Sequence, residues 1–154
     1  MSARAEVIGL DAMLGNFDDY ARRVGPAVST AMMSGAHLVA GDARRSIQQV
    51  SQGETVTRYH AGRQPKTHVA SKAGDAPNTD TGQLVNAIQV EPKADAIYVG
   101  ISRAGVFEYA RALEYGTVKM AARPFLRPAL EGRKRQIVRM VNAALREQAG
   151  RFNR

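Results

Sequence analysis

The sequence contains no cysteine and no tryptophan, and aromatic residues make up only 6% of its 154 residues. The absence of cysteine excludes disulfide bonds, thiolate metal ligands and cysteine nucleophiles. No apolar run approaches the roughly 18 residues that a membrane-spanning helix requires, and no hydrophobic segment follows the first charged residues as in a signal peptide. These absences predict a soluble protein of the cell interior with no membrane contact. With 44% apolar residues, we expect a single domain with one core over residues 1–154.

The net charge of +8 is unevenly distributed along the chain. Residues 1–43 carry a net charge of −2, residues 44–75 a net charge of +4, and residues 76–130 a net charge of +1. Residues 131–154 contain seven basic and two acidic residues, a net charge of +5. This excess favours a polyanion or an acidic protein surface as a partner, although many basic faces of proteins are simply solvated.

Helices are predicted at both ends of the chain. A short strand is predicted over residues 5–10, followed by a short helix over residues 12–24 that ends at Gly25. Residues 26–50 predict a long amphipathic helix, because apolar and small residues recur there at helical spacing. A second long helix is predicted over residues 126–149. Its apolar stripe comprises Leu126, Leu130, Ile137, Val138, Val141 and Leu145.

Between the two long helices the sequence predicts strands and loops. Residues 51–80 are rich in Gly, Thr, Lys, Arg and Pro, contain almost no aliphatic residues, and predict a long flexible basic loop. Apolar and polar residues alternate around residues 88–90 and 97–101, which predicts a β-hairpin, with a helical turn as the alternative at residues 84–88. Residues 105–115 predict a short helix or an extended arm. The predicted fold class is α+β, with a small antiparallel β-sheet packed against two long α-helices.

The sequence offers no catalytic or metal-binding pattern. His60 and His68 have no carboxylate at ligand spacing, so we predict neither a metal site nor a cofactor. Glu108 and Glu114 are six residues apart, which places them on different faces of a helix and makes them a poor acid–base pair. Neither a glycine-rich phosphate loop nor a nucleophile elbow occurs. We therefore predict that the protein is not an enzyme.

Basic residues in two segments are the candidates for binding. Arg135, Arg139 and Arg146 fall on one face of the C-terminal helix, opposite its apolar stripe. The candidates in the loop are Arg58, Arg63, Lys66 and Lys72. Nucleic-acid phosphates and an acidic protein are both open as partners, and a solvated basic face is the alternative interpretation.

Three stretches, in a fixed order, resemble one protein family. The first is residues 75–88, the second is residues 97–100 followed by residues 109–117, and the third is residues 120–130. The most specific motifs are Glu114-Tyr115-Gly116-Thr117 in the second and Arg123-Pro124-Phe125-Leu126-Arg127-Pro128-Ala129 in the third. In this order they resemble the small neck and tail-completion (head–tail joining) proteins of long-tailed bacteriophages and prophages. The resemblance is close over residues 75–130 and looser over the flanking helices. The chain departs from it at Ala73-Gly74-Asp75, where relatives tend to show Pro-Gly-Glu, and in its long basic loop.

The resemblance implies a structural virion protein without catalytic activity. Such a protein would form a ring, of six copies, in the virion neck at the head-proximal end of the tail, and would occupy the host cytoplasm during assembly. The implied partners are further copies of the chain and neighbouring head–tail connector or tail-tube proteins, with non-specific contact to DNA passing through the lumen. A small basic nucleic-acid-binding module is the alternative hypothesis. Against it, aromatic residues do not interleave with the basic ones.

The residues of these motifs also have a structural explanation. Gly116 can adopt a positive φ and reverse the chain after Tyr115. Pro124 and Pro128 are expected to restrict Arg123 and Arg127 away from the α conformation, and Phe125 would then anchor the start of the following helix in the core. We expect the same kind of structural role for the remaining motif residues, which are Gly82, Leu84, Glu114, Thr117 and Arg123.

Overall fold

The computed structural model describes residues 10–59, 62 and 64–152. This part of the chain forms four helices and four strands. In chain order they are helix α1 (Leu10–Gln48), strands β1 (Thr55–Arg58) and β2 (Lys66–Val69), helix α2 (Gln83–Ala87), strands β3 (Ile88–Pro92) and β4 (Ile97–Ile101), and helices α3 (Ala104–Tyr115) and α4 (Leu126–Phe152). The α+β class is confirmed, with two long helices packed on each other and on the strands.

Helix α1 is one continuous helix, so the prediction of two helices separated at Gly25 was wrong. Pro26 lies inside it, where proline removes one backbone hydrogen bond and typically costs about 3 kcal/mol. Val24 and Val28, on either side of Pro26, are both half-buried, so packing holds the helix together across the proline. Of the strand predicted over residues 5–10, only Leu10 is described, and it begins α1; the other residues lie outside the described part.

Helices α1 and α4 pack closely and run antiparallel. Asp42 of α1 contacts Arg133 of α4, and Gly35 contacts Ile137. A Cβ atom at Gly35 would lie 2.7 Å from Cγ1 of Ile137, so any side chain at this position would force Ile137 or the helix to shift. The neighbouring buried positions of α1 are also mostly small, namely Ala36, Val39, Ala40 and Ala43.

Strands β3 and β4 form the second hairpin of the chain, which lies against α1 and completes the core. Strands β3 and β4 are antiparallel, with Ile88 opposite Ile101 and Val90 opposite Val99, as the alternation predicted. Arg44 of α1 donates a hydrogen bond to the carbonyl of Ile88, which ties this sheet to the helix. The core cluster comprises Val39, Ala40, Ala43, Ile47, Leu84, Ala87, Ile88, Val106, Ala110, Leu113, Phe125 and Ala129.

The segment over residues 51–80 is more regular than predicted. Within the segment, strands β1 and β2 pair antiparallel, from Thr55 opposite Val69 to Arg58 opposite Lys66, and neither strand was predicted. The side chains of residues 55–57, Lys66 and Thr67 are exposed, whereas those of His68 and Val69 are half-buried. A polar ribbon of this kind carries no apolar alternation, which is why the hydrophobic pattern did not predict it.

Helix α4 begins at Leu126 as predicted and continues to Phe152, past the predicted end at residue 149. The prediction of its apolar stripe was partly wrong, because Leu130 and Val138 are 50% and 53% exposed. Only α1 covers α4 along most of its length, so the buried strip is narrower than the sequence pattern.

The segment over residues 105–115, predicted as a short helix or an extended arm, is a helix, α3.

Candidate functional site

Glu114, at the end of α3, caps the start of α4. Its Oε2 accepts hydrogen bonds from the backbone N–H groups of Phe125 and Leu126, at 2.8 and 3.0 Å, and its Oε1 accepts one from Arg127 at 2.8 Å. These are among the backbone donors that a helix leaves unpaired at its first turn. A carboxylate at that position also interacts favourably with the helix dipole. The two most specific motifs of the sequence are therefore joined by one side chain.

The chain between α3 and α4 makes a tight reversal. Gly116 has a φ of 76°, and a Cβ atom there would lie 2.9 Å from the backbone of Met120 and of Ala122. Thr117 pairs with Met120 in an isolated bridge, and the N–H of Arg123 donates to the carbonyl of Leu113 at 2.7 Å. Gly116 is thus required by both the backbone conformation and the close approach, as the sequence predicted.

The remaining motif residues divide between the core and the surface. Phe125 is 1% exposed, which confirms it as the core anchor at the start of α4, and Leu84 is also buried. Gly82, with a φ of 74°, precedes α2. At the surface, Tyr115 and Pro128 are exposed. Pro128 lies in the first turn of α4 and Arg127 is helical, so the expected restriction of Arg127 away from the α conformation was wrong; proline is tolerated in a first turn because its missing N–H would be unpaired there.

An open apolar groove of about 700 Å³ lies beside this joint, between β4, α3 and the start of α4. Val39 and Phe125 form part of its wall, and both are buried. Three of its large apolar side chains are about half exposed: Tyr98 at 50%, Phe107 at 48% and Leu130 at 50%. Exposed apolar side chains gathered in one concave surface are typical of a protein-binding site. No binding role was predicted for these residues, because they are far apart in the sequence and each lies in a different element.

Three charged residues line the groove: Arg111, Arg127 and Glu114. Both oxygens of Glu114 accept backbone hydrogen bonds, so its charge is partly compensated at the α4 terminus. Arg111 is largely exposed and lies 3.8 Å from Glu108, also largely exposed. The two guanidinium groups therefore give the groove a basic edge.

The three arginines predicted on one face of α4 are all exposed. Arg135, Arg139 and Arg146 lie on the side of α4 that faces away from α1, and none of them forms a salt bridge or a side-chain hydrogen bond with a residue that the structure describes. At about 1.5 Å per residue, the face from Arg135 to Arg146 is about 16 Å long. Their role in binding stays a prediction.

The basic candidates of the first hairpin are not gathered into one site. Lys66 is exposed and lies 3.7 Å from Asp80, and Lys72 is exposed just beyond β2. Arg58 ends β1, but its side chain is not among those described, and Arg63 lies outside the described residues, as does His60. His68 lies 4.0 Å from Asp80, with no metal-ligand cluster around it in the described part.

The base of this hairpin is fixed by a polar network that the sequence did not predict as such. Asn78 accepts a hydrogen bond from the N–H of Ser51 at 2.7 Å and donates to the carbonyls of Ser51 and Val69, both at 2.8 Å. The hydroxyl of Ser51 donates to Asp75 at 2.7 Å. In the sequence, Asn78 stands out only as part of the first stretch of the family resemblance, which was the one available signal.

A second unpredicted contact links α1 and α4. Arg133 donates to both carboxylate oxygens of Asp42, at 2.5 and 3.0 Å, and Arg45 donates to the same carboxylate at 2.8 Å. The hydrogen bonds from Arg133 hold the pKa of Asp42 below its usual value, and the charges of Arg133 and Arg45 act in the same direction against the opposing effect of burial. Nothing in the sequence pairs two polar residues 91 positions apart.

None of the helices described is long and apolar enough to cross a membrane. Comparisons of the chain with models of protein families, with curated proteins and with solved structures found no match.

Proposed function

We propose that the protein is a structural component of the neck of a tailed bacteriophage, which completes the tail and joins it to the head. In this proposal it forms a ring of copies, acts through protein–protein contacts, and has no catalytic activity. The family resemblance of the sequence is the starting point, and six copies is the number that this resemblance implies. The partners are further copies and the neighbouring connector or tail-tube proteins.

One observation carries the proposal. Glu114 caps the helix that starts at Phe125, so the two most specific motifs of the family resemblance form one joint at the edge of an exposed apolar groove. The motif residues then have structural roles, and the surface beside them is suited to binding another protein. A chain built in this way fits a connector better than an enzyme.

Deletion of the gene from its phage or prophage tests the proposal. We expect filled heads and separate tails in electron micrographs of the lysate, with infectious particles restored by the wild-type gene supplied on a plasmid. Normal yields of infectious particles from the deletion would contradict the assignment.

A small basic nucleic-acid-binding module is the second candidate. The observation that favours it is the face of Arg135, Arg139 and Arg146, which forms no salt bridge with a described residue. Arginine contacts to phosphates would make binding strongly dependent on salt but insensitive to base sequence. Binding of duplex DNA without any defect in particle assembly after gene deletion would favour this candidate.

A further inference from the structure

Helix α1 extends past the end of α4. From the contact between Gly35 and Ile137, α4 continues for 15 residues to Phe152, and the same number of residues before Gly35 reaches Tyr20. Residues 10–19 therefore project beyond α4 by about 15 Å, at 1.5 Å per residue. The burial pattern agrees, because residues 15–19 are all exposed, whereas Tyr20 is half-buried.

The projecting end of α1 is acidic and has an apolar stripe in its sequence. Residues 10–20 contain three Asp residues and no Lys or Arg, although Asp19 is paired with Arg22 one turn later. The apolar residues Leu10, Met13, Leu14 and Phe17 recur at the spacing of one helix face. Phe17 is 47% exposed in the single chain. A helix end of this composition is suited to a groove that is apolar inside and basic at its edge.

The groove beside the Glu114 joint has these properties. Its half-exposed apolar side chains accept an apolar helix face, and Arg111 and Arg127 lie at its edge. Lys93 lies 5.0 Å from the ring centroid of Tyr98 and adds a third positive charge nearby. The charges of the two surfaces are therefore complementary.

The same chain cannot bring these two surfaces together. Phe17 and Val39, which lines the groove, belong to one uninterrupted helix, and 22 residues of helix separate them by about 33 Å. Contact therefore requires a second copy. We infer that residues 10–20 of one copy dock in the groove of the next copy. The apolar face of this helix end would then lie against the apolar side chains of the groove.

This contact is head-to-tail, because the two surfaces are different. Head-to-tail contacts produce a closed ring when the rotation between copies closes, and a filament when it does not. The inference rests on the proposed function, in which copies assemble into a ring, and it specifies which surfaces meet.

Two single variants of the full chain test it, each disabling one surface. Phe17→Asp leaves the groove intact, and Leu130→Asp leaves the α1 end intact; both positions are about half exposed, so neither change places a charge in the core. Val138→Asp is the matched control, since Val138 is 53% exposed on α4 but does not line the groove. Sedimentation velocity at about 100 μM protein detects contacts with a Kd in the micromolar range.

We expect wild type and Val138→Asp to form oligomers, and each of the other two variants to associate at least about tenfold more weakly. A mixture of Phe17→Asp and Leu130→Asp restores one intact contact per pair, so it should form heterodimers and nothing larger. Monomeric wild-type protein, or oligomers that both variants leave unchanged, would overturn the inference. Either result leaves the gene-deletion phenotype as a separate test of the proposed function.

Reversing one charge on each surface tests whether these two surfaces bind each other, or whether the groove binds a different acidic helix. Asp18→Lys should weaken self-association, and combining it with Arg127→Glu in the same chain should restore it at least in part, by attraction between the reversed charges. Weakening without any recovery in the double variant would overturn the assignment of these two surfaces to each other.

Discussion

Glu114 illustrates how a single side chain connects two stretches of this chain. Its two carboxylate oxygens accept three backbone hydrogen bonds at the start of α4, and one more backbone hydrogen bond, from Arg123 to Leu113, lies beside it. The position of α3 is thereby coupled to the first turn of α4.

Replacing Glu114 with Gln should destabilise the fold. The amide keeps one acceptor oxygen and loses the charge, so we expect a decrease of about 1–3 kcal/mol in the free energy of unfolding. Urea unfolding followed by circular dichroism measures this decrease. Glu108→Gln is the control, since Glu108 is largely exposed and its pairing with Arg111 should contribute little. Equal midpoints for the two variants would contradict the capping role.

The contact between Asp42 and Arg133 predicts a dependence of stability on pH. Because the pKa of Asp42 is lowered in the folded protein, the carboxylate stabilises the fold fully above its unfolded pKa of 3.8. This contribution is lost as the pH falls from 3.8 through the lowered pKa. The difference in unfolding free energy between wild type and Asp42→Asn should therefore be constant above about pH 5 and shrink at lower pH.

Thermal unfolding over a series of pH values measures this difference. Asp19→Asn is the control, because the pair of Asp19 with Arg22 is exposed on both sides and should contribute little at any pH. A difference that does not change with pH would contradict the lowered pKa of Asp42 in the folded protein.

At the scale of elements, the first hairpin is a two-stranded ribbon with an anchored base. Two-stranded ribbons are at best marginally stable alone in water. We expect trypsin to cut the free protein first at Arg58, Arg63, Lys66 or Lys72, and assembly into the neck to protect these bonds. Mass spectrometry of the early fragments identifies the sites. Equal cleavage rates in the free and the assembled protein would contradict ordering on assembly.

The anchor of this hairpin provides a second comparison. Asn78→Ala removes three hydrogen bonds to the backbone at residues 51 and 69, so it should speed cleavage within the hairpin. Asn142→Ala, at an exposed position of α4, is the control. If the two variants were cleaved at the same rate as wild type, the network at the base would not govern opening of the ribbon.

The elements in which apolar residues recur at regular spacing were predictable from the sequence, and the elements held by polar contacts were not. The stripe on α4 and the alternation at Ile88 and Val90 predicted the second helix and hairpin, because burial of one face produces the pattern. The boundary predicted at Gly25 was wrong, since packing of Val24 and Val28 outweighs the local preferences of Gly25 and Pro26. The ribbon of β1 and β2 is mostly polar, so it shows no alternation of apolar and polar residues. Its anchor at Asn78 depends on residues distant in sequence, as does the apolar groove.

At the scale of the whole molecule, the positive charge separates into the first hairpin and the exposed face of α4. Replacing Arg135, Arg139 and Arg146 with Gln should weaken binding to duplex DNA or to an acidic partner while leaving the melting temperature unchanged. For DNA, the slope of log K against log salt concentration should become shallower by about 3, close to one unit for each phosphate that an arginine no longer neutralises. Fluorescence anisotropy over a range of salt concentrations measures the slope.

The control for that triple variant removes the same charge elsewhere. Arg22, Arg103 and Arg151 are exposed and lie outside the α4 face, so replacing these three with Gln should change the slope much less. Identical slopes for the two triple variants would show that net charge, not the face, governs binding. Loss of folding in the first variant would show that the face is structural.

The antiparallel packing of α1 on α4 also affects how the chain folds as it is synthesised. The face of α1 around Gly35 is covered by α4, and α4 starts only at Leu126, long after α1 has ended at Gln48. At about 5–20 residues per second, translation of the intervening segment takes roughly 4–16 seconds. During that interval the second hairpin becomes available to pack on α1, but the face of α1 around Gly35 stays uncovered until α4 is synthesised.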